Sequence, residues 1–130
     1  MKLTSKHVTV QKSAEELCQF LGNVSNFEQL MPENISKFEV LNEKAFVFAL
    51  KGMPEIALEV KEVTPPNKVQ LGSMSEKLSF TLTANITEVS ASESMVELVF
   101  EGDFNPMMAM MIKSPISKFM ETLTTKMETL

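Results

Sequence analysis

The chain has one histidine, His7, and one cysteine, Cys18. A histidine could serve as a general base or metal ligand, and a thiolate as a nucleophile. His7 lies in Lys2–Gln11, where Val8 and Val10 take one side of a strand and His7 and Thr9 the other, so it points away from the core. Cys18 shares a helical stripe with Ala14, Leu17 and Leu21 and reads as a buried, inert thiol. One residue of each kind excludes an intrachain disulfide and a cysteine-based zinc cluster, and leaves little for a histidine-dependent triad. No catalytic residue, metal ligand or cofactor is expected.

Acid–base chemistry needs an ionisable group facing the substrate. Glu59, Glu97, Glu101 and Asp103 fall on the polar parity of their strands and read as solvated charges. Glu39 lies in an irregular strand, where a bulge could turn it inward, so parity leaves it open. The side chains assigned to the inner face are Phe46, Phe48, Leu58, Phe80, Leu82, Leu98 and Phe100, and none is ionisable. They are candidate lining for an apolar pocket. Methionine supplies the rest of that lining. Four of the 11 methionines stand in Met107-Met108-Ala109-Met110-Met111. At 100° per residue, Met107, Met108, Met111 and Ile112 cover an arc of roughly 140°, with Met110 at its edge. Such flexible, polarisable side chains suit a pocket that accepts varied shapes, and they serve equally as gap filler in an ordinary core. Both readings stay open at this point.

The elements that must position these residues are legible from periodicity. Ser13-Ala14-Glu15-Glu16 has the form of a capping box, and Gly22 ends the helix it starts. Ser25-Asn26-Phe27-Glu28 has the same form, and Pro32 stops the second, short helix. From Glu33 the period becomes two. Strands are expected at Ile35–Leu41, Ala45–Leu50, Ile56–Lys61 and Lys68–Met74. Asn42-Glu43, Lys51-Gly52-Met53-Pro54 and Thr64-Pro65-Pro66-Asn67 interrupt them, and Ser75-Glu76-Lys77 leads to the next strand. There Leu78, Phe80, Leu82, Ala84 and Ile86 alternate with Ser79, Thr81, Thr83, Asn85 and Thr87, so Leu82 should be buried and Thr81 and Thr83 accessible. Val96, Leu98, Phe100, Gly102 and Phe104 alternate likewise. Asn105-Pro106 then caps and opens a long helix, whose stripe runs Met108, Ile112, Ile116, Phe119, Met120, Leu123, Met127, Leu130. Pro115 is expected to kink or divide it. A sheet with one apolar face needs such a helix to cover it.

Composition narrows the function classes. At 130 residues and 44% hydrophobic, the chain suits one domain, residues 1–130, with a real core. Net charge is −5 and arginine is absent, as are tryptophan and tyrosine, which argues against nucleic-acid binding. No apolar run is long enough to span a bilayer, and no secretory signal follows Met1, so a cytoplasmic protein without integral membrane association is expected.

The opening strand followed by Ser13-Ala14-Glu15-Glu16-Leu17, the paired helices ending at Pro32, and the Asn105-Pro106 start of an amphipathic closing helix resemble the START / Bet v 1-like (helix-grip) superfamily. In style the chain is similar to its small bacterial polyketide cyclase/dehydrase-like and lipid-transport-like members. The resemblance implies an α+β fold. A curved seven-stranded antiparallel sheet, with two short helices after strand 1, would grip the C-terminal helix across its concave face. It also implies a pocket between sheet and helix for a lipid, polyketide or similar apolar small molecule. Three functions follow: a binding or transport protein for such a ligand, a cyclase/dehydrase-like enzyme, or an interaction module with a filled core, acting through its surface or as a homodimer. An apolar cavity favours the first, a polar-lined one the second, and no cavity the third.

Overall fold

A computed structural model describes residues 1–51, 55–74 and 79–130. The elements are β1 (Lys2–Thr4), β2 (Val8–Val10), α1 (Ala14–Gly22), a 3-10 helix (Val24–Leu30), β3 (Ile35–Asn42), β4 (Ala45–Leu50), β5 (Ile56–Thr64), β6 (Lys68–Ser73), β7 (Phe80–Ser90), β8 (Glu93–Gly102) and α2 (Pro106–Met127). The fold is α+β, with a curved antiparallel sheet and a long C-terminal helix, as expected. The expected turn residues Gly52, Met53 and Pro54, the lead-in Ser75-Glu76-Lys77 and Leu78 lie outside the described residues.

The strands run β1-β8-β7-β6-β5-β4-β3, and β2 also pairs with β8. Thus the expected first strand is present as two pieces along one edge. Lys2 opposes Glu101 in one piece, and Val8 opposes Val96 in the other. Between them Ser5 keeps the edge satisfied: its N–H donates to the Leu98 carbonyl (2.8 Å), and its Oγ accepts from the Leu98 N–H (2.8 Å). A side-chain oxygen thus replaces a ladder acceptor, and His7 stays on the outside, 2.8 Å from Glu97. Register shifts at Ile35/Lys37, Val40/Asn42, Val60/Glu62 and Glu88/Ser90 mark where strands bend, which is how a flat pleat becomes a grip.

The first capping box forms as read: Glu16 N–H donates to Ser13 Oγ (3.1 Å), and the Ser13 N–H reaches Glu16 Oε1 (3.5 Å). Gly22 is the last residue of α1, followed by Asn23 in an extended cap conformation (φ −100°) rather than a left-handed one. The second box does not form. Asn23, as good a cap as serine, accepts from the Ser25 N–H (3.2 Å), and the Ser25 hydroxyl donates to the same Oδ1 (2.8 Å). The helix therefore starts at Val24, two residues early and with 3-10 geometry.

The core is the layer between sheet and helices. α1 buries Ala14, Leu17, Cys18 and Leu21; the 3-10 helix buries Val24, Phe27 and Leu30. Leu82 and Phe100 are buried as expected. Thr83 is not accessible, however: it is 8% exposed and accepts from Gln70 Nε2 (3.2 Å), so a neighbouring side chain covers this part of the outer face. Glu39 is exposed and points away from the core, 3.9 Å from Lys37. In α2, Ile116, Phe119, Met120, Leu123 and Met127 are buried, on the expected stripe. Pro115 sits inside one continuous helix and does not divide it. Lys126 Nζ donates to the Met31 carbonyl and ties this C-terminal half to the end of the 3-10 helix.

Candidate functional site

Seven of the nine phenylalanines sort into two clusters, and the difference locates the site. Phe27, Phe46, Phe48 and Phe119 stack in sequence (5.2, 6.0 and 4.9 Å between centroids) and fill the middle of the core. Phe80, Phe100 and Phe104 form a second group (4.9, 6.5 and 6.0 Å) under the N-terminal half of α2. Gly102 permits that second group: a Cβ there would lie 2.8 Å from the Phe104 ring, from Phe80 Cβ and from the Ser79 carbonyl. Without a side chain at this position, Phe104 can fold back over Phe80.

Beside the second cluster lies a cavity of about 810 Å³. That is within the range of small-molecule sites. Its cause is visible in α2. Every fully buried residue of that helix is at Ile116 or beyond, whereas Met108 and Ile112 are only half-buried. The C-terminal half is pressed onto the sheet, and the N-terminal half stands off it. Ser73 adds room, a small residue at the inward position that follows Leu71 on β6. One flank of α2, the row Met111, Pro115, Lys118 and Thr122, faces the cavity next to the core stripe.

The cavity brings together Phe80, Phe100, Met108, Met111 and Ile112 of the residues read from sequence. Phe46, Phe48, Leu58, Leu82 and Leu98 are elsewhere, 1–5% exposed in the packed core. The voids beside Phe48, Leu58, Leu82 and Leu98 measure about 10 Å³ each, too small for an ordered ligand. Met107 is 74% exposed and Met110 82%, and neither lines the cavity. At about 100° per residue, Met107 lies about 180° around the helix from Ile116 and points to solvent. Met111, 66% exposed, sits at the cavity's edge.

Sequence reasoning missed Leu50, Ile56 and Phe104 in the apolar floor and a rim of Asn34, Lys51, Glu55, Ser114 and Lys118. Leu50 shares the strand parity of Phe46 and Phe48, Ile56 that of Leu58, and Phe104 that of Phe100, so their signal was present. The rim residues sit at strand ends and on a helix flank, where neither period two nor the core stripe assigns a side. All five are exposed. Glu55 is held by Lys37 (2.7 Å), and that carboxylate keeps the Lys37 ammonium above the ordinary lysine range.

Among the described residues no Asp, Glu, Lys or His is buried. Burial pushes the Cys18 thiol up, partly offset by a hydrogen bond to the Lys68 backbone, so it stays protonated and unreactive at neutral pH. Among the described residues no group of three or more His, Cys, Asp or Glu is placed to hold a metal ion, and no helix is long and apolar enough to cross a membrane.

Comparison with protein-family models finds none that matches, and comparison with curated proteins finds no match. Solved structures do match. A START superfamily protein from Mycobacterium smegmatis is 14% identical, with 98% of this chain and 94% of that chain covered and a TM-score of 0.75. Norcoclaurine synthase from Thalictrum flavum, in complex with dopamine and hydroxybenzaldehyde, is 8% identical over 99% of this chain and 86% of that one, with a TM-score of 0.72. A protein from Chromobacterium violaceum is 13% identical over 99% and 96%, with a TM-score of 0.71. At such identities the likeness concerns architecture, not chemistry. The chain has the START / Bet v 1-like helix-grip fold.

Proposed function

We propose that the protein binds an apolar small molecule, a lipid, polyketide or similar, between the sheet and α2, and acts as a carrier rather than a catalyst. The observation that carries this reading is the cavity of about 810 Å³ with a largely aromatic and aliphatic floor, in which Ser73 and Thr122 are the half-buried polar residues and, among the described residues, every ionisable one is at the exposed rim. Filling such a floor removes apolar surface of both ligand and protein from water, at about 25 cal/mol per Å². Met108 and Met111 at the edge can re-pack around different shapes.

The fold also supports enzymes, as norcoclaurine synthase illustrates. A cyclase-like reaction would ask for a positioned acid or base in the dry part of the site. Among the described residues the ionisable ones of this lining, Lys51, Glu55 and Lys118, are all exposed. The test is titration of delipidated protein with an environment-sensitive naphthylamine probe. Saturable enhancement at one probe per chain is expected. No enhancement with several apolar probes would overturn the carrier and leave the interaction module.

A further inference from the structure

The rim of the cavity carries a sign opposite to that of the protein. The chain has 17 acidic residues against 12 lysines, yet among the described residues the charged ones of this lining are Lys51, Lys118 and Glu55. Glu55 is already neutralised by Lys37 at 2.7 Å. Lys51 and Lys118 have no carboxylate within ion-pairing distance among the described residues, as is true also of Lys2, Lys12, Lys44 and Lys113, so their charges at the rim are not compensated by the protein. Lys51 follows β4 directly, and its N–H donates to the Asn34 carbonyl (2.9 Å), so the backbone from which it reaches is fixed. Lys118 leaves α2 from the row that carries Met111 and Pro115. The two thus approach one cavity from the sheet side and the helix side.

Resting on the carrier reading, we infer that the ligand is an amphiphile whose anionic head is held at the rim by Lys51 and Lys118 while its tail lies on the floor of Phe80, Phe100, Phe104 and Ile112. A lysine stem lies easily along apolar surface while its ammonium stays in water, which suits the boundary between tail and head. The attraction is stronger beside a low-dielectric floor than in open solvent. Lysine is a point charge without the planar fork of arginine, so it selects the head by charge more than by shape. A carboxylate and a phosphate monoester share the required chemistry.

The experiment uses the delipidated full chain and displaces the naphthylamine probe with ligands that share an oleyl tail: oleate, oleyl phosphate, oleyl alcohol and oleylamine. Each exposed ion pair is worth a few-fold in affinity, so the anionic ligands should displace the probe at about five- to tenfold lower concentration than the alcohol. The advantage should shrink as salt is raised. Lys51→Gln with Lys118→Gln should bring the oleate-to-alcohol ratio towards one, and Lys44→Gln, in the β3–β4 turn, should leave it in place. A preference for oleate alone or phosphate alone supports the inference and names the head. Equal displacement by acid and alcohol, or preference for the amine, overturns the anionic head and leaves the carrier, and a ratio that survives the double substitution overturns the assignment of the head to Lys51 and Lys118. Failure of every oleyl ligand, together with failure of the probe itself, overturns the carrier reading and this inference with it. Thermal unfolding of each variant confirms that the ratio is read on folded protein.

Discussion

Phe48→Ala and Phe100→Ala should differ in cost although both remove the same buried ring. Phe48 is 1% exposed, stacked on Phe119 at 4.9 Å and 9° and close to Phe46 at 6.0 Å. The void beside it measures about 10 Å³, so its removal opens a new cavity in filled core. The cost should be about 4–5 kcal/mol, the upper part of the range for buried aromatic truncations. Phe100 is 3% exposed and pairs with Phe80 at 4.9 Å and Phe104 at 6.0 Å, but it also borders the cavity of about 810 Å³. A ring that already faces open space has fewer dispersion contacts to lose, so about 3 kcal/mol or somewhat less is expected. For a chain of this size one kcal/mol moves Tm by roughly 3–4 °C, which puts Phe48→Ala about 12–20 °C below the parent and Phe100→Ala about 10 °C below it. Thermal unfolding followed by far-ultraviolet circular dichroism, on delipidated protein, measures both. Equal losses, or a larger loss at Phe100, would mean that the second aromatic cluster is as tightly packed as the first, and the division into filled core and cavity wall would fail.

Met108→Leu with Met111→Leu conserves volume and apolarity, so each swap should cost below about 1.5 kcal/mol; leucine adapts less well, so probe affinity should change while Tm barely moves. Unchanged affinity would remove both methionines from the site. His7→Ala should leave probe binding intact, since His7 lies on the outer surface against Glu97; lost binding in a folded variant would revive a role for it. Cys18 should resist thiol-specific labelling near neutral pH in native protein and react on unfolding, because burial raises its pKa above the ordinary thiol range. The sign follows from the same shift: the native state keeps a proton that the unfolded state releases, so the contribution to stability is full below the unfolded pKa and is lost as pH rises through the folded one. Rapid native-state labelling at pH 7 would contradict the burial of this thiol.

Sequence periodicity located the elements well and the cavity only in part, for a physical reason. Alternation reports which face of a strand meets apolar neighbours, so it identified Phe48, Leu82 and Phe100 as inward together. It does not report whether the space beyond that face is filled. Phe48 meets Phe119, whereas Phe100 meets a gap, and the difference depends on where α2 touches down. That in turn depends on contacts at its far end, such as Lys126 on the Met31 carbonyl, which no local pattern encodes. The methionine run was legible as unusual, yet its orientation was misjudged. Met108 faces the cavity, but Met107 turns to solvent, because the core stripe of α2 is fixed by Ile116, Leu123 and Met127 further along. Lys51 and Lys118 gave no signal beyond their row and strand-end positions. Ser25 was read as a cap because its pattern fits one, and Asn23 took that place because it comes first in the chain and offers an equivalent oxygen.

The most direct measurement uses the methionines themselves. With methyl-labelled methionine and assigned signals, titration of delipidated protein with an apolar ligand should shift Met108 and Met111, which line the cavity, in a saturable way. Met120 and Met127, 2% and 0% exposed and outside the cavity lining, should stay in place. Shifts confined to the exposed Met107 and Met110, or no saturable shift in any methyl signal, would contradict a ligand held between sheet and helix.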